Sequence, residues 1–299
     1  MPLTVREVKE EVVHHIGQEG FDSLLEYLRE EELTLWGGHQ PDNFLEINLT
    51  LMLWKLITGF GYQKVLQKVK IRFPFNHKSL QYNCRVMRQK AEAWAESKVE
   101  WGTVEEWVEA AEDVPRKGKL AHVNLWTDSF DLPKENPTGY SRKSPDWSYK
   151  LNRYGRRYMV FLDARTRIRW VGGGYSPKVY DSHYINMMRR WIQAPLKGAV
   201  VVADHAFATA GEGFEDVEFV VKFLEPADEA DDPRGRNVIK LTAEQKRFNK
   251  AQKALRSRVE SPFGIFKTIF PSLAAPWRES DSQLDHVVLI AAALHNMKI

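Results

Sequence analysis

The chain has 299 residues, enough to bury one large core or two modest ones. Its 43% hydrophobic and 28% charged residues, with 14 Pro and 18 Gly, are those of an ordinary folded protein and exclude a disordered tail or a fibre. Because 43 basic residues face 40 acidic ones, for a net charge of +3, the chain cannot coat DNA by charge alone, and any DNA contact has to come from local clustering.

A single cysteine, Cys84, excludes an intrachain disulfide, and MPLTVREVKEEVV at the N-terminus shows no basic stretch leading into an apolar signal core. Both features favour an intracellular protein. The apolar VVLIAAALHNM near the end is far shorter than the roughly 20 residues that span a bilayer, so no membrane segment is expected.

From Phe21 to about Trp94 apolar residues recur at helical spacing, as in FDSLLEYLREEELTLW and NLTLMLWKLITGF, and this part reads as all helix. Within it GYQKVLQKVK and HKSLQYNCRVMRQKAEAW look like two helices around a tight connection, IRFPFN. Pro74 would stop the first and Asn76 cap the second, a helix-turn-helix-like segment. The first helix carries Lys64, Lys68 and Lys70, and the second Lys78, Arg85, Arg88 and Lys90. Either they form a phosphate-facing surface or they are a solvated helical face.

EDVPRKGKLAH mixes Pro, Gly and charge and reads as a linker, with a boundary near Pro115 that divides the chain into residues 1–115 and 116–299. After it the rhythm changes to strands: AHVNLWTD, RRYMVFLDA and RIRWVGGGY suggest an antiparallel meander. A helix, SHYINMMRRWIQAPL, follows. The unbroken apolar run of AVVVAD then suggests a strand buried on both faces, with VEFVVKFL as a second core strand. A basic amphipathic helix from about Thr242 to Lys267 and an apolar one from about Ser282 to Met297 close the chain. This order is that of a ribonuclease H-like α/β fold, a mixed sheet with helices on both faces.

Three carboxylates fall at meaningful places on that outline. Asp128 ends the first strand, Asp204 ends the buried strand, and Glu260 lies in the basic helix. A charge beside a core costs several kcal/mol unless a partner or a metal offsets it, and three convergent carboxylates would suit Mg²⁺ or Mn²⁺. Taken singly, each also has a plain reading: a turn residue, a helix N-cap, and half of a surface ion pair with Arg256 or Lys267. Asp131 stands close enough to act in place of Asp128, whereas Asp163 reads as a hairpin-turn residue. No zinc-ligand spacing and no phosphate-binding GxxxxGK[ST] loop occurs.

The stretch from about Leu125 to Met297 resembles the PIF/Harbinger superfamily of transposases. The resemblance is most specific in NKAQKALRSRVESPFGIFKTIFPSL, where Asn249, Arg256, Val259, Glu260, Phe263, Gly264 and Lys267 match the family pattern. It continues in the closing Leu294, His295 and Asn296. VVADHAF keeps Asp204 but has Ala206 and Phe207 for the usual Gly-Tyr. VYDSHY keeps Asp181 and Ser182 with Tyr180 for the usual histidine, and LWTDSFD replaces the usual Asp-Gly-Thr around Asp128. The resemblance implies a DDE endonuclease domain of ribonuclease H-like fold that uses a divalent metal. It carries the catalytic and metal-binding roles over to Asp128, Asp204 and Glu260.

It also implies DNA as partner, both transposon ends and target, often with a separate Myb-like DNA-binding protein, and action in the nucleus, or in the cytoplasm for a bacterial relative; it leaves room for a homo-oligomer. Residues expected at phosphates are Lys78, Arg85 and Arg88 in the helical part, Lys150 in a segment rich in Lys, Arg, Tyr and Trp, and Lys253, Arg256 and Lys267 beside Glu260. The competing expectation, favoured by the altered neighbours of Asp128 and Asp204, is a domesticated or decayed relative that binds DNA or a protein without cutting.

Overall fold

A computed structural model describes residues 2–31, 33–36, 41–71, 75–114, 116, 118–135, 141–223, 241–257 and 262–299. The first part is built on β1 (Leu3–Thr4), α1 (Val5–Ile16), α2 (Gln18–Glu30), α3 (Phe44–Thr58), α4 (Tyr62–Lys68), β2 (Val69–Lys70), α5 (His77–Glu96) and α6 (Val104–Ala110). α3 is apolar around its whole circumference and is accordingly buried, from Phe44 through the run Ile47–Trp54 to Leu56. Against it packs α1, whose Val8, Val12 and Ile16 recur at four-residue spacing on one face.

Two expectations change here. The first part is not wholly helical, because β1 pairs in parallel with β2. β2 also takes the last two residues of the expected helix GYQKVLQKVK, which stops at Lys68: Val69 is buried and Lys70 exposed, the alternation of a strand. Asn76 does cap α5, accepting the Ser79 N–H at 2.9 Å, while Pro74 lies outside the described residues.

The sheet comprises β3 (Leu125–Pro133), β4 (Trp147–Ser148), β5 (Arg153–Leu162), β6 (Ile168–Tyr175), β7 (Val200–Val202) and β8 (Glu218–Val220). Its order is β6-β5-β3-β7-β8, with β4 pairing to the start of β5. β6, β5 and β3 are antiparallel neighbours, as the meander predicted, whereas β3, β7 and β8 run parallel. One face is covered by α7 (Asp181–Ile192), whose Tyr184, Ile185 and Ile192 join Leu125, Met159, Phe161 and Val201. The other face presents Trp126, Phe130, Val160 and Val202 to α8 (Ala243–Arg256), α9 (Pro262–Ile269) and α10 (Asp281–Lys298). The single basic helix expected from Thr242 to Lys267 is thus described as two, α8 and α9, with residues 258–261 outside the described set.

α10 ties the two parts together. It lies against both α5 and β6, and one core joins Val8, Leu24 and Trp94 to Phe130, Val160 and Leu284, on both sides of residue 115. A buried polar tie reinforces it. Arg88 of α5 bonds both carboxylate oxygens of Glu279, which also receives Lys55 at 3.1 Å and the Tyr62 hydroxyl at 2.8 Å. No helix among the described residues is long and apolar enough to cross a membrane.

Candidate active site

β3 does not end at Asp128 but runs on to Pro133, because Phe130 and Leu132 still point into the core. Asp128 therefore sits in mid-strand, opposite Val160 of β5. β7 is shorter: it leaves β3 after pairing Leu125 with Val201 and Trp126 with Val202. Asp204 follows two residues later, still in extended backbone, and opens a short 3₁₀ turn, His205–Phe207, by accepting the Ala206 N–H at 2.6 Å. Asp128 and Asp204 are thus equally far beyond the last β3–β7 pair, and period-2 alternation directs Asp128 to the Trp126 side of the sheet, where α8 lies. The C-terminal edge of neighbouring parallel strands is where open α/β sheets place their ligands.

The Asp128 side chain is 37% exposed, so solvent reaches it. Burial of its surroundings raises the carboxyl pKa, and the nearby charge of Asp204 pushes the same way. Arg256, 3.8 Å away, the Ser129 N–H at 2.8 Å and Lys150 pull it down without cancelling the rise. Lys150 itself donates to the Ser129 hydroxyl at 3.2 Å. Two cations expected at phosphates, Lys150 and Arg256, therefore flank Asp128.

α8 is fastened over this edge by side chains the sequence did not single out as such. Gln252, buried on α8, donates its amide to the Ala203 carbonyl at 2.7 Å, one residue before Asp204. Trp126 donates its indole N–H to Leu255 O at 3.3 Å. Asn249 bonds both backbone groups of Phe223, at 2.8 and 2.9 Å. The signal available for Gln252 was its place on the α8 face that also holds Leu255, three residues on. Asn296 makes a similar clamp on Ile168 at the start of β6, and His295 bonds Thr166 O at 2.9 Å. These motif residues hold strand ends in place.

The remaining candidates separate. Asp131 is wholly buried, receives two bonds from Arg157 at 2.8 and 3.2 Å and one from the Ser148 hydroxyl, and is used up as a structural ion pair. Arg157 reaches on to Asp181 at 3.3 Å. Asp163 holds the β5–β6 turn by accepting the Arg165 and Arg167 N–H groups and Arg169 Nε, the hairpin role expected of it. Glu260 and Val259 lie outside the described residues. Of the expected phosphate contacts Lys78, Arg85, Lys253 and Lys267 are exposed. Arg88 is fully buried against Glu279, which leaves it no face to offer a phosphate.

A family model, DDE superfamily endonuclease, matches residues 127–296, more than half of the chain. The chain belongs to the DDE superfamily endonucleases. No curated protein and no solved structure matches it. The matched span of this DDE endonuclease begins just before Asp128 and closes on Asn296, and the curled mixed sheet between them is consistent with a DDE nuclease fold. Membership points to a transposase-like nuclease with DNA as its substrate. DDE endonuclease domains generally use divalent metals. Among the described residues no three His, Cys, Asp or Glu side chains gather around one point. The pair Asp128 and Asp204 fits part of such a site: two like-charged oxygen donors act on each other, and a hard cation would offset their repulsion.

Proposed function

We propose that the chain is a metal-dependent DNA transposase of PIF/Harbinger type, with a ribonuclease H-like catalytic domain and Asp128, Asp204 and Glu260 as its catalytic carboxylates. The observation that carries this reading is the matched placement of Asp128 and Asp204, each two residues beyond the last pair that joins the neighbouring parallel strands β3 and β7, inside the region matched by the family. Asp128 and Asp204 would hold Mg²⁺ or Mn²⁺ together with Glu260. When bound, the metal supplies charge neutralisation at the scissile phosphodiester and favours the nucleophilic form of water.

The chain's own groups do the rest. Arg256 and Lys150 beside Asp128 bind the phosphates that flank the scissile bond and align it with the carboxylates. Gln252 and Asn249 keep α8 seated over the strand ends, so that Asp204 stays at its register. Water adds to phosphorus, the bond to the 3′ oxygen breaks, and that oxygen leaves as a 3′-hydroxyl after taking up a proton. The freed hydroxyl then attacks a phosphodiester of target DNA, a step that rests on the resemblance. A nuclear setting and a Myb-like DNA-binding partner accompany this reading.

The test uses purified protein, Mg²⁺ or Mn²⁺ and DNA bearing the element's ends, with wild type compared to Asp204→Ala and Glu260→Ala. Loss of cleavage in both variants supports the proposal. Equal cleavage by all three proteins sinks it.

A further inference from the structure

Away from the carboxylates, α5 and the start of α10 line an open groove of about 470 Å³, within the roughly 300–1,000 Å³ typical of small-ligand pockets. Its wall carries Trp36, Tyr82, Lys78, Arg85, Arg278 and Gln283. Trp36 is 53% exposed, an unusual position for an indole, and it stacks on Tyr82 with ring centroids 4.0 Å apart and planes 12° from parallel. The backbone at Trp36 is anchored to α5. Buried Asn83 accepts the Trp36 N–H at 2.7 Å and donates to the Trp36 carbonyl at 2.9 Å, and its amide is fixed in turn by Asn48. The Arg85 guanidinium lies 5.7 Å over the Tyr82 ring.

Gln283 adds an independent observation. Only 6% exposed, it sits in the same wall, and its amide oxygen has no hydrogen-bond partner among the described residues. A buried polar atom left unpaired costs free energy, and in a pocket wall it calls for a ligand with a complementary polar edge. The one acid in this wall, Glu279, has its charge taken by Arg88 and Lys55, and Arg278 pairs with Glu135 at 3.4 Å, so Lys78 and Arg85 set the sign of the pocket.

We infer that this pocket takes an unpaired nucleotide of DNA. The base lies against the Trp36–Tyr82 stack with its polar edge at the Gln283 amide, and its phosphate meets Lys78 and Arg85. A base inside a duplex hides both faces in the helix stack, so the site selects an overhang or an extruded base. The inference rests on the reading of the chain as a DNA nuclease and adds to it a separate contact that does not involve the metal carboxylates.

The experiment measures binding of the full chain to labelled duplexes in EDTA, which removes cleavage from the readout. Three DNAs are compared: blunt, with a short thymidine 3′ overhang, and with the same overhang made abasic. Wild type is expected to prefer the thymidine overhang over the abasic one about tenfold, since stacking contributes about 1–3 kcal/mol per base. Trp36→Ala loses the preference, Trp36→Phe recovers most of it, and Arg85→Ala weakens both overhangs alike. Equal binding of the two overhangs by wild type, or a preference kept in Trp36→Ala, overturns the inference and leaves the nuclease reading standing. Competition by free thymidine monophosphate as strong as by the overhang overturns the assignment to DNA. Failure to bind any of the three DNAs overturns both readings.

Discussion

Asp128 and Asp204 stand two residues beyond the Trp126–Val202 pair on neighbouring parallel strands, and the charge of Asp204 adds to the burial that raises the Asp128 pKa. If that pair holds the metal, Asp128→Asn and Asp204→Asn each lower Mn²⁺-supported cleavage about a thousandfold, several kcal/mol of transition-state stabilisation. Asp128→Asn keeps its stability, because burial and the Asp204 charge already disfavour the ionised carboxyl, and Asp204→Asn keeps an oxygen acceptor for the Ala206 N–H. Asp131→Asn is expected to behave oppositely. Arg157 would be left buried with half its partner charge gone, at a cost of about 3–5 kcal/mol in denaturant unfolding. A stable Asp131→Asn protein without activity would reverse the assignment of the first ligand.

Calorimetry separates a working site from a decayed one. Wild type takes up Mn²⁺ with measurable heat, and the double variant Asp128→Asn with Asp204→Asn takes up none. A wild-type titration identical to that of the double variant would favour the reading of a relative that binds DNA without cutting.

The tie between Arg88 and Glu279 makes a prediction about stability and pH. Burial would raise the Glu279 carboxyl pKa, but Arg88, Lys55 and Tyr62 outweigh it and hold the pKa at about 2, against 4.5 for a free glutamate. A folded pKa below the unfolded one means the contribution is fully present above pH 4.5 and is lost as pH falls from there toward 2. Glu279→Gln is expected to lower stability by about 3–5 kcal/mol at neutral pH, because it leaves Arg88 buried without its counter-charge. It also flattens the acid limb of stability against pH. An acid limb unchanged in the variant would show that other carboxylates govern it.

The sheet was legible because its strands carry continuous apolar or alternating runs; AVVVAD and RRYMVFLDA could hardly have been anything else. A carboxylate in LWTDSFDLP looks like a stop, so the sequence suggests a strand end at Asp128. The buried Phe130 and Leu132 beyond it are what extend the strand. Arg88 looks like a phosphate contact in the sequence because its partner, Glu279, is 191 residues away, and local charge patterning carries no record of such a pairing. β1 and β2 are two residues each and pair across most of the helical part, too short for any periodicity to register. The Trp36–Tyr82 stack is equally non-local, joined only when Asn83 of α5 clamps the backbone at Trp36.

Gln252 gives the closest test of how the fold serves the carboxylates. Its amide reaches the Ala203 carbonyl at 2.7 Å from a buried position, so it fixes the backbone from which Asp204 departs without touching Asp204 itself. Gln252→Met keeps the length and volume of the side chain and removes the donor. The orphaned Ala203 carbonyl is expected to cost about 1–3 kcal/mol of stability, a loss that a folded protein of this size tolerates. A purely structural role would end there. A positioning role also lowers Mn²⁺ affinity and kcat by about 10–100-fold, as for other residues that orient metal ligands, and leaves KM for DNA unchanged because Arg256 and Lys150 are untouched. Restored Mn²⁺ affinity in Gln252→Lys, whose ammonium can donate to the same carbonyl, would support the hydrogen bond as the cause. A folded Gln252→Met protein with wild-type kcat and Mn²⁺ affinity would rule the positioning role out.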